Sequence, residues 1–244
     1  MELTDIAFIG AGKMATAIAA GLVNKKVLAG EKISAFDVAE EARSAFVKNV
    51  PGANCEKDLV SLLSKSSFIV LAVKPQYVKE ALKGAEDLLK GKLLLSICAG
   101  VSIATLQELS SCEKVIRVMP NTPALAGEGM SAFACSKAVI AEEKAMAEKV
   151  LGSIGEVREL GESLLDAVTG LSGSGPAYVM EFIMALTDGG GLYGTSQRCR
   201  LPDGAPDSLG DSRPPQRLCR TPCGFAGCGH LSRRDDCQRG KRIG

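Results

Sequence analysis

The feature that most constrains this chain lies in its first fifteen residues. Ile6-Ala7-Phe8-Ile9 runs directly into Gly10-Ala11-Gly12-Lys13-Met14-Ala15, and a helical pattern follows at once. Met14, Ile18 and Leu22, beside Ala15, Ala19 and Val23, recur at helical spacing from Lys13 to about Val27. In such a G-x-G-x-x-A turn the first glycine permits the tight bend. The second lets a ligand approach the backbone, and the alanine allows close packing of helix on strand. A helix that starts there presents free N–H groups and the positive end of its dipole, a cradle for a pyrophosphate.

The first 160 residues repeat this alternation. Candidate strands are Asp5–Ile9, Lys32–Phe36, Phe68–Val73, Leu93–Cys98, Val115–Val118, Gly129–Ala134 and Glu156–Leu160. Helical patterns cover Ala39–Phe46, Asp58–Ser64, Gln76–Leu89, Ser102–Leu109 and Glu142–Ile154. This order predicts an α/β fold: a Rossmann-like, doubly wound parallel sheet with helices on both faces. Near Ser163 the alternation stops. Ser172-Gly173-Ser174-Gly175-Pro176 reads as a tight turn opening a helix, with Ser174 or Gly175 as its cap and Pro176 in the first turn. Tyr178, Val179, Phe182, Ile183 and Leu186 then form a broad apolar face, the start of a helical second domain.

Ligands of such folds gather where strands end at the carboxyl edge of the sheet. Asp37 closes the second strand, about 20 residues after the glycine turn, where an acidic group accepts from an adenosine ribose hydroxyl. It reads equally as a cap for the helix that follows, so NADH and NADPH both stay open. Ala72-Val73-Lys74-Pro75 ends the third strand, where Lys74 could meet a phosphate or ribose or simply be solvated. Ser96-Ile97-Cys98-Ala99-Gly100 ends the fourth, its small residues letting a nicotinamide lie close to the backbone. Met119-Pro120-Asn121-Thr122-Pro123 holds Asn121 in a rigid polar loop.

Together with Thr169-Gly170-Leu171-Ser172-Gly173-Ser174-Gly175-Pro176-Ala177-Tyr178, these segments resemble the pyrroline-5-carboxylate reductase family from about Thr4 to Gly190. The resemblance implies NADPH- or NADH-dependent reduction of 1-pyrroline-5-carboxylate to L-proline. By that likeness the coenzyme is held by Ile9, Gly10, Ala11, Gly12, Lys13, Met14, Ala15, Ala72, Val73, Lys74 and Pro75. Ala99 and Gly100 join that set with Asp37, and Asn121, Ser172 and Ser174 are the candidates near the reacting rings. One departure lies at Asp58-Leu59, where the family commonly carries an asparagine that approaches the coenzyme. The runner-up readings are a related imine or β-hydroxyacid reductase and a non-catalytic dinucleotide-binding module. The former would differ in the second domain; the latter would bind coenzyme without turnover.

Composition matters most at one break. Before Gly191 there are 16 Lys and 3 Arg; from Gly191 onward there are 1 Lys and 9 Arg. Basic against acidic residues run 19 to 23 before it and 10 to 5 after it, although the whole chain carries only +1. That balance argues against wholesale binding of nucleic acid or anionic membrane. No apolar run nears a membrane span, and the first residues lack a basic signal-peptide region, so the expected location is cytoplasmic. Domains are expected at 1–161, 162–190 (truncated) and 191–244, a non-homologous, disordered tail.

The tail has two competing readings. Cys219, Cys223, Cys228 and His230, with Cys237 beyond, offer zinc-type ligands, but their spacings match no standard pair of knuckles, so no metal is expected. The other reading is a shifted frame. Gly227 to Asp236 can be written GGA TGC GGT CAC CTC TCC CGG CGG GAC GAC. One base later, with T opening the next codon, this spells Asp-Ala-Val-Thr-Ser-Pro-Gly-Gly-Thr-Thr. The resemblance implies a Thr-Ser-Pro-Gly-Gly-Thr-Thr substrate loop that the chain otherwise lacks. An inserted base in the glycine codons of Gly189-Gly190-Gly191 would account for both. The family's homo-oligomer and turnover are then expected to be compromised, with coenzyme binding intact.

Overall fold

The computed structural model describes residues 3–192; residues 193–244, where the zinc-ligand and shifted-frame readings fall, lie outside them. The chain divides into two compact units, 1–179 and 180–244. In the first, β1 (Ile6–Ile9), β2 (Ile33–Phe36), β3 (Asn54–Cys55), β4 (Phe68–Leu71), β5 (Leu93–Ser96), β6 (Lys114–Met119), β7 (Gly129–Cys135) and β8 (Gly155–Glu159) form one sheet. Its order is β3-β2-β1-β4-β5-β6-β7-β8. The chain steps outward from β1 to β3, then returns to the other side of β1 with β4. The resulting crevice between β1 and β4 is where a doubly wound sheet binds its ligand.

The helices are α1 (Lys13–Asn24), α2 (Glu40–Asn49), α3 (Leu59–Lys65), α4 (Val78–Leu82), α5 (Glu86–Leu89), α6 (Ile103–Ser110), α7 (Ala141–Leu151), α8 (Leu165–Val168) and α9 (Gly175–Leu192). Successive side chains of a strand point to opposite faces, so a sheet covered on both sides needs strands apolar throughout. β1 meets this demand. Ile6 and Phe8 join Ile18, Leu22 and Phe46 in one core. Ala7 and Ile9 join Leu62, Leu82 and Leu106 in the other.

Four details differ from the sequence expectation. The sheet is not wholly parallel: β6 and β7 pair antiparallel, and β8 follows β7. Only the Pro120–Glu128 connection joins β6 to β7, too short for a parallel crossover, so β7 turns back. A two-residue strand, β3, pairs with β2. The helix expected over Gln76–Leu89 is interrupted at Gly84, whose φ of +80° is not helical. Finally, Thr169–Gly173 forms a π-helical turn rather than a tight bend.

Helix starts follow local chemistry. Asp58 caps α3, accepting the Ser61 N–H at 2.7 Å, and Ser102 caps α6 through the Thr105 N–H. Among the described residues of the second unit, α9 continues through Leu192, with the Thr187 hydroxyl donating to the Ile183 carbonyl.

Candidate functional site

The carboxyl ends of β2, β1, β4 and β5 lie side by side, joined by backbone hydrogen bonds. The Gly10 N–H donates to the Phe36 carbonyl at 2.7 Å, the Ala72 N–H to Ile9 at 2.8 Å and the Ile97 N–H to Leu71 at 3.0 Å. This row carries Ile9–Ala15, Asp37, Ala72–Pro75, Ala99 and Gly100, so the structure brings together segments widely separated in sequence. Ile9, Gly10, Ala11 and Ala15 are buried; Gly12, Lys13, Lys74, Pro75, Ala99 and Gly100 are exposed; Met14, Asp37, Ala72 and Val73 lie between.

The two glycines of the turn serve different ends. Gly10 sits at φ +99°, and a Cβ there would lie 2.6 Å from the Ala72 carbonyl oxygen. The fold itself demands that glycine. Gly12 has an ordinary φ of −72°, and a Cβ on it would meet nothing within 4 Å. Among the described residues no neighbour accounts for it, and it is the N-cap of α1. The space beside Gly12 at the N-terminus of α1 fits a ligand phosphate pressed against backbone N–H groups.

Asp37 does not cap α2, whose N-cap is Ala39. Its Oδ2 accepts the Ala11 N–H and its Oδ1 the Ala39 N–H, both at 2.9 Å. The carboxylate thus bridges the glycine turn to the β2–α2 turn. Arg43, which sequence reasoning missed, donates from Nη1 to the carbonyls of Asp37 at 2.6 Å and Val38 at 3.2 Å. Its signal was an arginine six positions beyond the strand-end acid.

Asn121 closes the far side of the row. Its Nδ2 donates to the Ser172 carbonyl at 3.3 Å, and its Oδ1 accepts the Met130 N–H at 2.9 Å. The Thr122–Ala126 turn beside it lies against α1. Ser172 donates from Oγ to the Val168 carbonyl. Ser174, expected as a possible cap, has helical φ and ψ, and its hydroxyl donates back to the Thr169 carbonyl at 3.0 Å. Such π-turns are frequent at functional sites because they displace a few side chains from the helical register.

Below this turn, Arg117 of β6 is 8 % exposed and pairs with Glu162 at 3.4 Å and Asp166 at 2.6 Å. Glu162 also accepts the Ile103 N–H at the start of α6. These contacts, invisible to periodicity, fasten the segment that carries the π-turn. Cys98 lies near the row, its thiol donating to the Val73 carbonyl at 3.2 Å, and burial raises its pKa. A separate hollow lined by Asp5, Phe68, Lys114 and Glu143 lies at the amino edge of the sheet, away from this row.

Residues 5–100 match the family described as NADP oxidoreductase, coenzyme F420-dependent. Residues 162–199 match the pyrroline-5-carboxylate reductase dimerisation family. The chain is 38 % identical to the pyrroline-5-carboxylate reductase of Arabidopsis thaliana, over 82 % of its own length and 72 % of the relative's. With the Methanosarcina acetivorans enzyme of the same name it shares 36 % identity over 87 % and 79 %. The Plasmodium falciparum pyrroline carboxylate reductase, solved with NADP bound, superposes with a TM-score of 0.72 and 33 % identity, over 81 % of this chain and 73 % of that one. On these similarities, over the sheet and the helical segment alike, the chain belongs to the pyrroline-5-carboxylate reductase family.

Proposed function

We propose that the row of strand ends binds NAD(P)H and serves the reduction of 1-pyrroline-5-carboxylate to L-proline. The observation that carries this reading is Gly12: a glycine at an ordinary φ, with no described residue within 4 Å of a Cβ on it, at the N-terminus of α1. In this reading Ile9 to Ala15 receive the pyrophosphate, and Asp37 faces the adenosine ribose. Ala72 to Pro75, with Ala99 and Gly100, flank the rest of the coenzyme. When bound, the reduced nicotinamide supplies the hydride, and the protein's part is to orient two rings and limit water. Asn121 and the π-turn with Ser172 and Ser174 form the wall against which the substrate ring would rest.

Two features support a second copy of the chain as partner. One is the match to a dimerisation family over residues 162–199. The other is the apolar exposure of α9, where Tyr178 is 60 % and Phe182 65 % accessible. Among the described residues no helix is long and apolar enough to cross a membrane. The substrate loop expected by family likeness is not spelled in this chain, so coenzyme binding is expected to exceed turnover.

The test measures coenzyme binding by calorimetry and proline formation from 1-pyrroline-5-carboxylate. It uses this chain and one encoded with the frame restored after Gly190. Binding by both, with fast turnover only in the second, is the expected result. Absence of binding in both would remove the coenzyme assignment, and near-normal turnover by the present chain would overturn the expectation of lost turnover.

A further inference from the structure

We propose that Asp37 makes this chain select NADH over NADPH, and that the same carboxylate orients the phosphate-binding turn. The inference rests on the coenzyme site proposed above and concerns its ribose end. With Oδ2 on the Ala11 N–H and Oδ1 on the Ala39 N–H, the carboxyl group is fixed between the glycine turn and the start of α2. Each oxygen keeps a further lone-pair direction. Two acceptors held in this way suit the two adjacent hydroxyls of an unphosphorylated ribose.

A 2′-phosphate brings up to two negative charges to the same place. The next residues make matters worse for it. Val38 is 88 % exposed and offers no donor from its side chain, and Glu40 and Glu41 occupy the first turn of α2. Three carboxylates therefore lie within five residues at the β2–α2 turn. The nearby cation, Arg43, is engaged by its Nη1 with the carbonyls of Asp37 and Val38. Through that nitrogen it acts as a positioning residue that holds the Asp37 backbone. Like charges a few ångströms apart at a partly exposed site repel, so the expected preference for NADH is about tenfold or more.

Calorimetric titration of the full chain with NADH and NADPH tests this. NADH is expected to bind more tightly, and raising the salt concentration should narrow the gap, because screening weakens the repulsion. Asp37→Asn keeps an acceptor for one of the two N–H groups and removes the charge; its NADH-to-NADPH affinity ratio should fall towards unity. Arg43→Ala should weaken both coenzymes without reversing their order. Equal or tighter NADPH binding by the unaltered chain overturns the inference, as does a ratio unchanged by Asp37→Asn or by salt. Should Asp37→Asn fail to fold, the salt series on the unaltered chain decides. If neither coenzyme binds, the coenzyme site itself falls, which is a different failure.

Discussion

The Asn121 amide spans 51 residues of sequence to donate to the Ser172 carbonyl, at 3.3 Å. Its other end accepts the Met130 N–H, so one side chain ties the end of β6, the start of β7 and the π-turn. Asn121→Ala removes both bonds and is expected to cost about 1–3 kcal/mol, read by denaturant unfolding. Asn121→Asp keeps the Met130 bond but sets a carboxylate against a carbonyl. Its deficit should shrink in acid, below about pH 4, where the protonated group can donate again. A deficit independent of pH would mean that Ser172 is not the partner that matters.

Gly10 and Gly12 should respond oppositely to the same change. Gly10→Ala forces a Cβ to within 2.6 Å of the Ala72 carbonyl at a φ of +99° and is expected to destabilise by about 2 kcal/mol or more. Gly12→Ala meets no described residue within 4 Å and loses only the N-cap preference for glycine over alanine, so its unfolding free energy should fall by at most about 1 kcal/mol. Its coenzyme affinity should nonetheless drop by about tenfold or more, since the new methyl group occupies the phosphate's approach. Melting curves and titrations on the two proteins separate the roles.

Arg117 has two carboxylate partners, and they are not equivalent. Glu162 serves both the guanidinium and the Ile103 N–H, whereas Asp166 is 78 % exposed and serves the guanidinium alone. Glu162→Gln is therefore expected to cost more than Asp166→Asn, about 1–3 kcal/mol against at most about 1 kcal/mol. Equal losses in urea unfolding would contradict the hub role of Glu162.

The Cys135 thiol should resist ionisation. Burial, aided by the Glu159 carboxylate, pushes its pKa from 9.0 up to about 11. A folded-state pKa raised above the unfolded one gives stability that is complete below pH 9 and is lost as pH rises towards about 11. In Cys135→Ser that segment of the stability profile should flatten. Alkylation at neutral pH should be slow at Cys135, Cys98 and Cys112, because burial raises all three. Peptide mapping by mass spectrometry reads those rates directly.

The glycine turn and its helix could be read from sequence because strand period, glycine spacing and helical period meet within twenty residues, each supporting the others. The strand ends at Ala72–Pro75 and Ala99–Gly100 could be placed for the same reason. Asn54–Cys55 could not, since two residues carry no period and their strand exists only by pairing with β2. Gly173 misled for a subtler reason. It looks like a turn residue, yet the chain stays helical there, and a Cβ would lie 2.7 Å from Met119 Cε. That atom is the movable end of a flexible side chain, so neither a turn nor close packing demands the glycine. Asp37 offered two readings, ribose acceptor or helix cap; the bridge to Ala11 depends on β1 and β2 being adjacent, which sequence order alone does not state.

The hold of Arg117 on Glu162 and Asp166 also bears on where this chain can be cut. A fragment ending at Gly161 would keep every strand of the sheet yet strip a nearly buried guanidinium of both carboxylates. It would also uncover the site filled by Leu165, which has no accessible surface. Anyone preparing the sheet as an autonomous piece, for crystallisation or for grafting onto another protein, should carry the chain through at least Val168.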